Sequence, residues 1–185
     1  TQISHFDTST QSHSVVYEGA VALGQRLDAS FWAAASLHNT NAPTLRDIGA
    51  DIARGSRSKA EATRMHEKIL HTTDLSQLCG QQIHLPTSSL PNLKDVLAEA
   101  GDILLPRTGT RVRWQPIEVV NGSAPISDHV LRIRAPQGYQ RIIKQSFNHP
   151  NFPAWLKSVS KGVCATVITK RELLDMPLFA LATAK

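Results

Sequence analysis

Apolar and polar positions along this chain change period every few residues, which predicts many short elements rather than a few long ones. Ile103-Leu104-Leu105, bounded by Gly101 and Pro106, predicts a central strand buried on both faces. Val130 to Arg134 alternates apolar and basic, as a strand with one buried face would, and puts Arg132 and Arg134 on the other face. Ile69 to Leu75 reads as a strand ending in a polar turn, and Gln82 to Leu85 as another stopped by Pro86. Asn121-Gly122, between Ile117–Val120 and Ala124–Arg134, is the strongest short hairpin signal.

Helical spacing is weaker. Thr44 can cap a short helix from Leu45 to about Ile48, with Asp47 in its first turn. Leu93 to Ala100 suits another, with Leu93, Val96 and Leu97 on one face and Gly101 to close it. Ile142, Ile143 and Phe147 predict a helix within Gly138–Phe147. Asn151 to Lys161 predicts a second, with Pro153 near its start and Gly162 at its end. Val163 to Ile168 is β-rich, and Thr169 with Glu172 forms a capping box for a last helix through Leu174, ended by Pro177. The spacing leaves Val15 to Ala35 open between helix and extended chain. Strands interrupted by short helices, without βαβ regularity or internal repeats, predict a mixed α+β fold built on a mostly antiparallel twisted sheet.

Composition narrows this picture. The 185 residues are 41% hydrophobic and 19% charged, enough for one globular domain with a proper core. The expected division is a polar lead-in over 1–25, a domain over 26–178 and a tail over 179–185. No apolar run has the length of a membrane span, and no signal-peptide pattern opens the chain. Cys79 and Cys164 lie far apart without metal-type spacing, as buried reduced thiols of a cytoplasmic protein would. In such a protein the acceptor pattern Asn121-Gly122-Ser123 would carry no sugar. The start at Thr1 points to a piece of a longer protein.

Charge directs attention to two stretches. The net charge of +5 permits a polyanionic partner without requiring one. Asp51 to Lys68 is the most basic reach, and Gly55 to Lys59 reads as an exposed loop carrying Arg57 and Lys59 between Arg54 and Arg64. Beyond the break at Pro106, the chain presents Arg107, Thr108, Thr110 and Arg111 around Gly109, with Arg113 following. Planar guanidinium forks suit phosphates or a guanine edge, and hydroxyls beside a glycine approach an oxyanion closely. The stretch around Gly109 is equally readable as a solvated hairpin tip, while for the Gly55–Lys59 loop a polyanion contact is slightly favoured over solvated surface.

No catalytic constellation stands beside them. There is no glycine-rich phosphate loop ahead of a helix, and the His66–His71 spacing of five fits neither a helical nor a strand metal pair. Asp102 after Gly101 is turn chemistry, and no serine or cysteine has a recognisable elbow. The residues thus call for no cofactor and no metal.

An ordered set of short pieces resembles the target recognition domain of Type I restriction-modification specificity subunits, a module also found at the C-terminus of some adenine-N6 DNA methyltransferases. Arg26-Leu27-Asp28-Ala29 followed by aromatics is similar to the family's opening segment. Leu45-Arg46-Asp47-Ile48, Ala53-Arg54-Gly55 and Ile69 to Leu75 follow in the expected order. Gly101-Asp102-Ile103-Leu104-Leu105-Pro106-Arg107-Thr108-Gly109-Thr110 is similar to the "GDILL-R-G" signature. Ile126 to Arg134, Trp155-Leu156, Gly162, Ile168-Thr169 and Leu173 to Pro177 complete the set. The chain departs from a complete specificity subunit in having one such domain and no long heptad stretch, and it lacks the methyltransferase catalytic motif.

The resemblance implies recognition without catalysis. Double-stranded DNA would be read here, and an adenine-N6 methyltransferase subunit or domain, with a restriction subunit in complete systems, would act on it. Phosphate contacts would come from Arg54, Arg57, Lys59, Arg64, Arg111 and Arg113. Base edges would be read near Arg107, Thr108 and Thr110. Two other readings compete: a stand-alone metal-dependent nuclease, and a protein-interaction module using Phe31, Trp32 and the apolar tail.

Overall fold

The computed structural model describes residues 41–78, 81–87, 95–109, 114–160 and 166–182. Its centre is β4 (Ile103–Pro106), buried at all four positions and hydrogen-bonded on both sides. On one side lies β7 (Val130–Arg134), followed by β1 (Asp51–Arg54) at the edge. On the other lies β6 (Ile117–Pro125), followed by β2 (Gln82–Thr87). β3 (Leu97–Glu99) also pairs with β6 and completes a six-stranded sheet. Every pairing in it is antiparallel except β2 with β6. The fold is α+β, as expected.

Alternation along β4 divides the core. Ile103 and Leu105 join Ile52, Leu131 and Ile133 on one face. Helices α3 (Gln140–Phe147) and α4 (Phe152–Val159) cover that face with Ile143, Phe147, Phe152 and Trp155. Helix α5 (Lys170–Leu174) adds Leu173, and Thr169 accepts from the Glu172 N–H in the predicted capping box. Leu104 and Val130 point to the opposite face, where they meet Leu75, Leu85, Ala98, Ile117, Val119 and Ile126. The strand is therefore covered on both sides, which is why three successive apolar residues are tolerated in it.

Several expected elements are replaced. Leu97–Glu99 is a strand rather than part of a helix. Gly101 (φ +88°) and Asp102 let the chain leave β3 and return to the same edge of β6 as β4. Asn121-Gly122 is not a hairpin tip but lies inside β6. Gly122 takes φ +77° there, and a Cβ would fall 1.8 Å from the Leu85 carbonyl oxygen of β2. The glycine serves close strand approach rather than reversal. Consequently β6 and β7 do not pair with each other, and β4 lies between them.

Ile69 to Leu75 is likewise no strand. Leu70 makes a single bridge to Ile126, and Thr72–Ser76 form a helix, α2, with His71 ahead of it and Asp74 accepting from the His71 N–H at 2.8 Å. Asp74 at that capping position outweighs the β-branched threonines. Strand β2 continues past Pro86 to Thr87. Thr44 and Asp47 make their reciprocal bonds around a turn rather than a helix. The readings for Val15–Ala35, Cys79, Cys164, Leu93, Gly162 and Val163 lie outside the described residues.

Candidate nucleic-acid interface

The antiparallel register places three chain segments at one end of the sheet. Arg54 at the end of β1 sits opposite Leu131, and Pro106 at the end of β4 sits opposite Val130. The loops leaving β1 and β4 thus flank the loop that enters β7. Backbone bonds fasten them: Arg107 N–H donates to the His129 carbonyl at 2.8 Å, and Asp128 N–H donates to the Arg57 carbonyl at 2.9 Å. The β1 loop is held more tightly than expected. Gly55 is buried, and a Cβ on it would fall 2.0 Å from the Ile126 carbonyl oxygen, so Gly55 to Lys59 is not a free surface loop.

Among the candidate cations, the structure separates two kinds. Arg57 reaches back to Asp95 and Glu67, and its guanidinium, with 15% of the side chain exposed, is held above its ordinary pKa by Asp95 first and Glu67 second. With its fork occupied by two carboxylates, Arg57 anchors this corner and is not available to phosphate. Lys59 is the first residue of helix α1 (Lys59–Arg64), capped by Ser58 and Glu61. Its Nζ donates to Thr73 Oγ1 at 3.1 Å. Arg64 lies in the last turn of α1. Arg54, Lys59, Arg64 and Arg107 have no carboxylate within ion-pair distance among the described residues. Thr108 opens the short strand β5 (Thr108–Gly109), which pairs with β8 (Thr166–Val167). Thr110, Arg111 and Arg113 lie outside the described residues.

The opposite end of β7 shows the contrast. Arg132 pairs with Asp51 and donates to the Leu97 carbonyl. Arg134 pairs with Glu99 and binds both oxygens of the buried Asp102, so its pKa is raised, chiefly by Asp102. Asp102 also accepts from the Glu99 N–H at 2.8 Å, the turn role its sequence position implies. Arg132 and Arg134 are thus both neutralised at that end, whereas at the other Arg57 is paired and Arg54, Lys59 and Arg107 have no carboxylate partner among the described residues.

A histidine pair, invisible in the sequence spacing, sits among the unpaired cations. The rings of His71 and His129 meet edge to face at 5.5 Å. His129 Nδ1 shares a 2.6 Å hydrogen bond with Thr108 Oγ1, and His71 Nδ1 shares one of 2.9 Å with Ser127 Oγ. Burial, then His129 and then Lys59 hold the His71 pKa below its ordinary value. The Ser127–His71 contact has the reach of a nucleophile and its base, but Ser127 is fully buried and no substrate carbonyl could meet it. Among the described residues, no group of three or more His, Cys, Asp or Glu could hold a metal ion. No described helix is long and apolar enough to cross a membrane.

Comparison with known proteins adds a distant structural likeness. No family model matches the chain, and no curated protein matches it. Among solved structures, the S subunit of a Type-I restriction-modification system from M. genitalium aligns with a TM-score of 0.39 and 11% identity. The alignment covers 81% of this chain and 34% of that one, so this chain spans about a third of its length.

Proposed function

We propose that this chain is a non-catalytic recognition domain that binds duplex DNA and reads its sequence, with an adenine-N6 methyltransferase acting on the DNA so held. The observation that carries the reading is the segregation of charge along the sheet. At the end where three anchored loops converge, Arg54, Lys59 and Arg107 have no carboxylate partner among the described residues and Arg57 alone of the candidate cations there is paired, while Arg132 and Arg134 are both neutralised at the other end. Among the described residues Arg141, Lys157 and Arg171 also lack carboxylate partners, but they sit singly on α3, α4 and α5. A cation cluster on rigidly held loops suits a polyanion whose phosphates fix register while nearby side chains reach base edges. The likeness of Gly101 to Thr110 to the recognition-domain signature supports the same reading, because that signature delivers Arg107 and Thr108 to this end. Phosphate contacts fall to Arg54, Lys59 and Arg64, and base reading to Arg107 and Thr108.

Selection of bound duplexes from a randomised pool tests this, with the methyltransferase partner supplied in a parallel arm. Enrichment of one defined sequence is expected in at least the partnered arm. A pool that stays random in both arms contradicts sequence reading.

A further inference from the structure

The proposed reading uses the cations at the sheet end but leaves the histidines beside them without a role. Their surroundings are unusually well defined. His129 is 43% exposed on its side chain, and its Nε2 lies 3.8 Å from Asp128 Oδ1. That carboxylate oxygen is itself buried and has no hydrogen-bond partner. A buried acceptor without a donor is costly. A neutral ring that accepts from Thr108 at Nδ1 turns an Nε2–H toward Asp128, and a proton added at Nδ1 makes that contact an imidazolium–carboxylate pair. His71, the neighbouring ring, is placed to stay neutral: burial first, then His129 and Lys59, disfavour a charge on it. Asp74, the remaining carboxylate near His71, is engaged by the His71 backbone N–H.

We propose that His129 takes up a proton when duplex DNA binds, so that acidification tightens the complex through this one ring. The inference rests on the DNA-binding reading and assigns that site a regulator. A phosphate brought to Lys59 offsets the positive charge around the histidine pair and favours the imidazolium. Asp128 then faces an imidazolium rather than a neutral ring, and the phosphate gains a further cation. Because the rings are only 5.5 Å apart, a second proton on His71 is opposed, and the uptake is limited to about one proton.

The test is duplex affinity at constant ionic strength from about pH 8 to about pH 6, the range in which histidine changes charge. The wild-type chain should gain severalfold in affinity, and at most about tenfold per pH unit if one proton is bound. His129→Gln should bind with a flat profile. Asp128→Asn, which keeps the ring but removes its carboxylate, should show a reduced gain. A wild-type slope retained in His129→Gln, or a flat wild-type profile, overturns the inference and leaves DNA binding standing. Absence of binding at every pH, with the methyltransferase supplied, overturns both. Melting temperatures close to wild type for both variants establish that the fold is intact.

Discussion

Arg107 is where the chain leaves the buried strand and becomes available to a partner. Its N–H is tied to the His129 carbonyl and its own carbonyl receives the Ile168 N–H at 3.4 Å, so the backbone is fastened on both sides while the side chain has no ion pair among the described residues. If it meets a guanine edge, Arg107→Ala should relax specificity at one base pair and cost about 1–3 kcal/mol there. A uniform loss on every duplex would instead assign it to phosphate. Binding unchanged on the cognate site, on single-base variants and on an unrelated duplex would remove it from the interface. Arg107 was legible in the sequence because a proline break after an apolar run announces where a side chain must turn outward. Arg57 was not, since its commitment to Asp95 and Glu67 depends on residues brought close only by the fold. The His71–His129 contact had no sequence signal for the same reason.

At the scale of elements, local period identified those that carry their own cap or their own two-sided burial. β4, β7, α3, α4 and the Thr169 capping box are of this kind. It failed where a tertiary partner decides. Leu97 to Glu99 has helical spacing but meets an open edge of β6, and Asn121-Gly122 has turn chemistry but meets β2. Gly122→Ala separates these explanations. A hairpin tip of the favoured type would also need a positive φ, but only the β2–β6 contact puts a Cβ 1.8 Å from a backbone oxygen. The substitution should therefore cost several kcal/mol and displace β2, on the scale of Leu104→Ala at the sheet centre, about 2–5 kcal/mol. Chemical denaturation of both variants measures this. A Gly122→Ala loss of only about 1 kcal/mol, the ordinary cost of strained backbone, would show that β2 is not packed there.

For the whole molecule, the two apolar cores on either face of β4 hold three loops in fixed relation at one end of the sheet, and of the cations there Arg54, Lys59 and Arg107 have no internal neutraliser among the described residues. The central claim is that Arg54, Lys59 and Arg64 neutralise DNA phosphates. The measurement that tests it most directly is the salt dependence of duplex affinity, for the wild-type chain and for the triple variant Arg54→Gln, Lys59→Gln, Arg64→Gln, each with the methyltransferase partner available. The wild-type log–log slope should be roughly −0.9 for every phosphate contacted, and the variant should lose about two to three such contacts from both slope and affinity. A variant whose slope and affinity equal those of the wild-type chain would contradict the account.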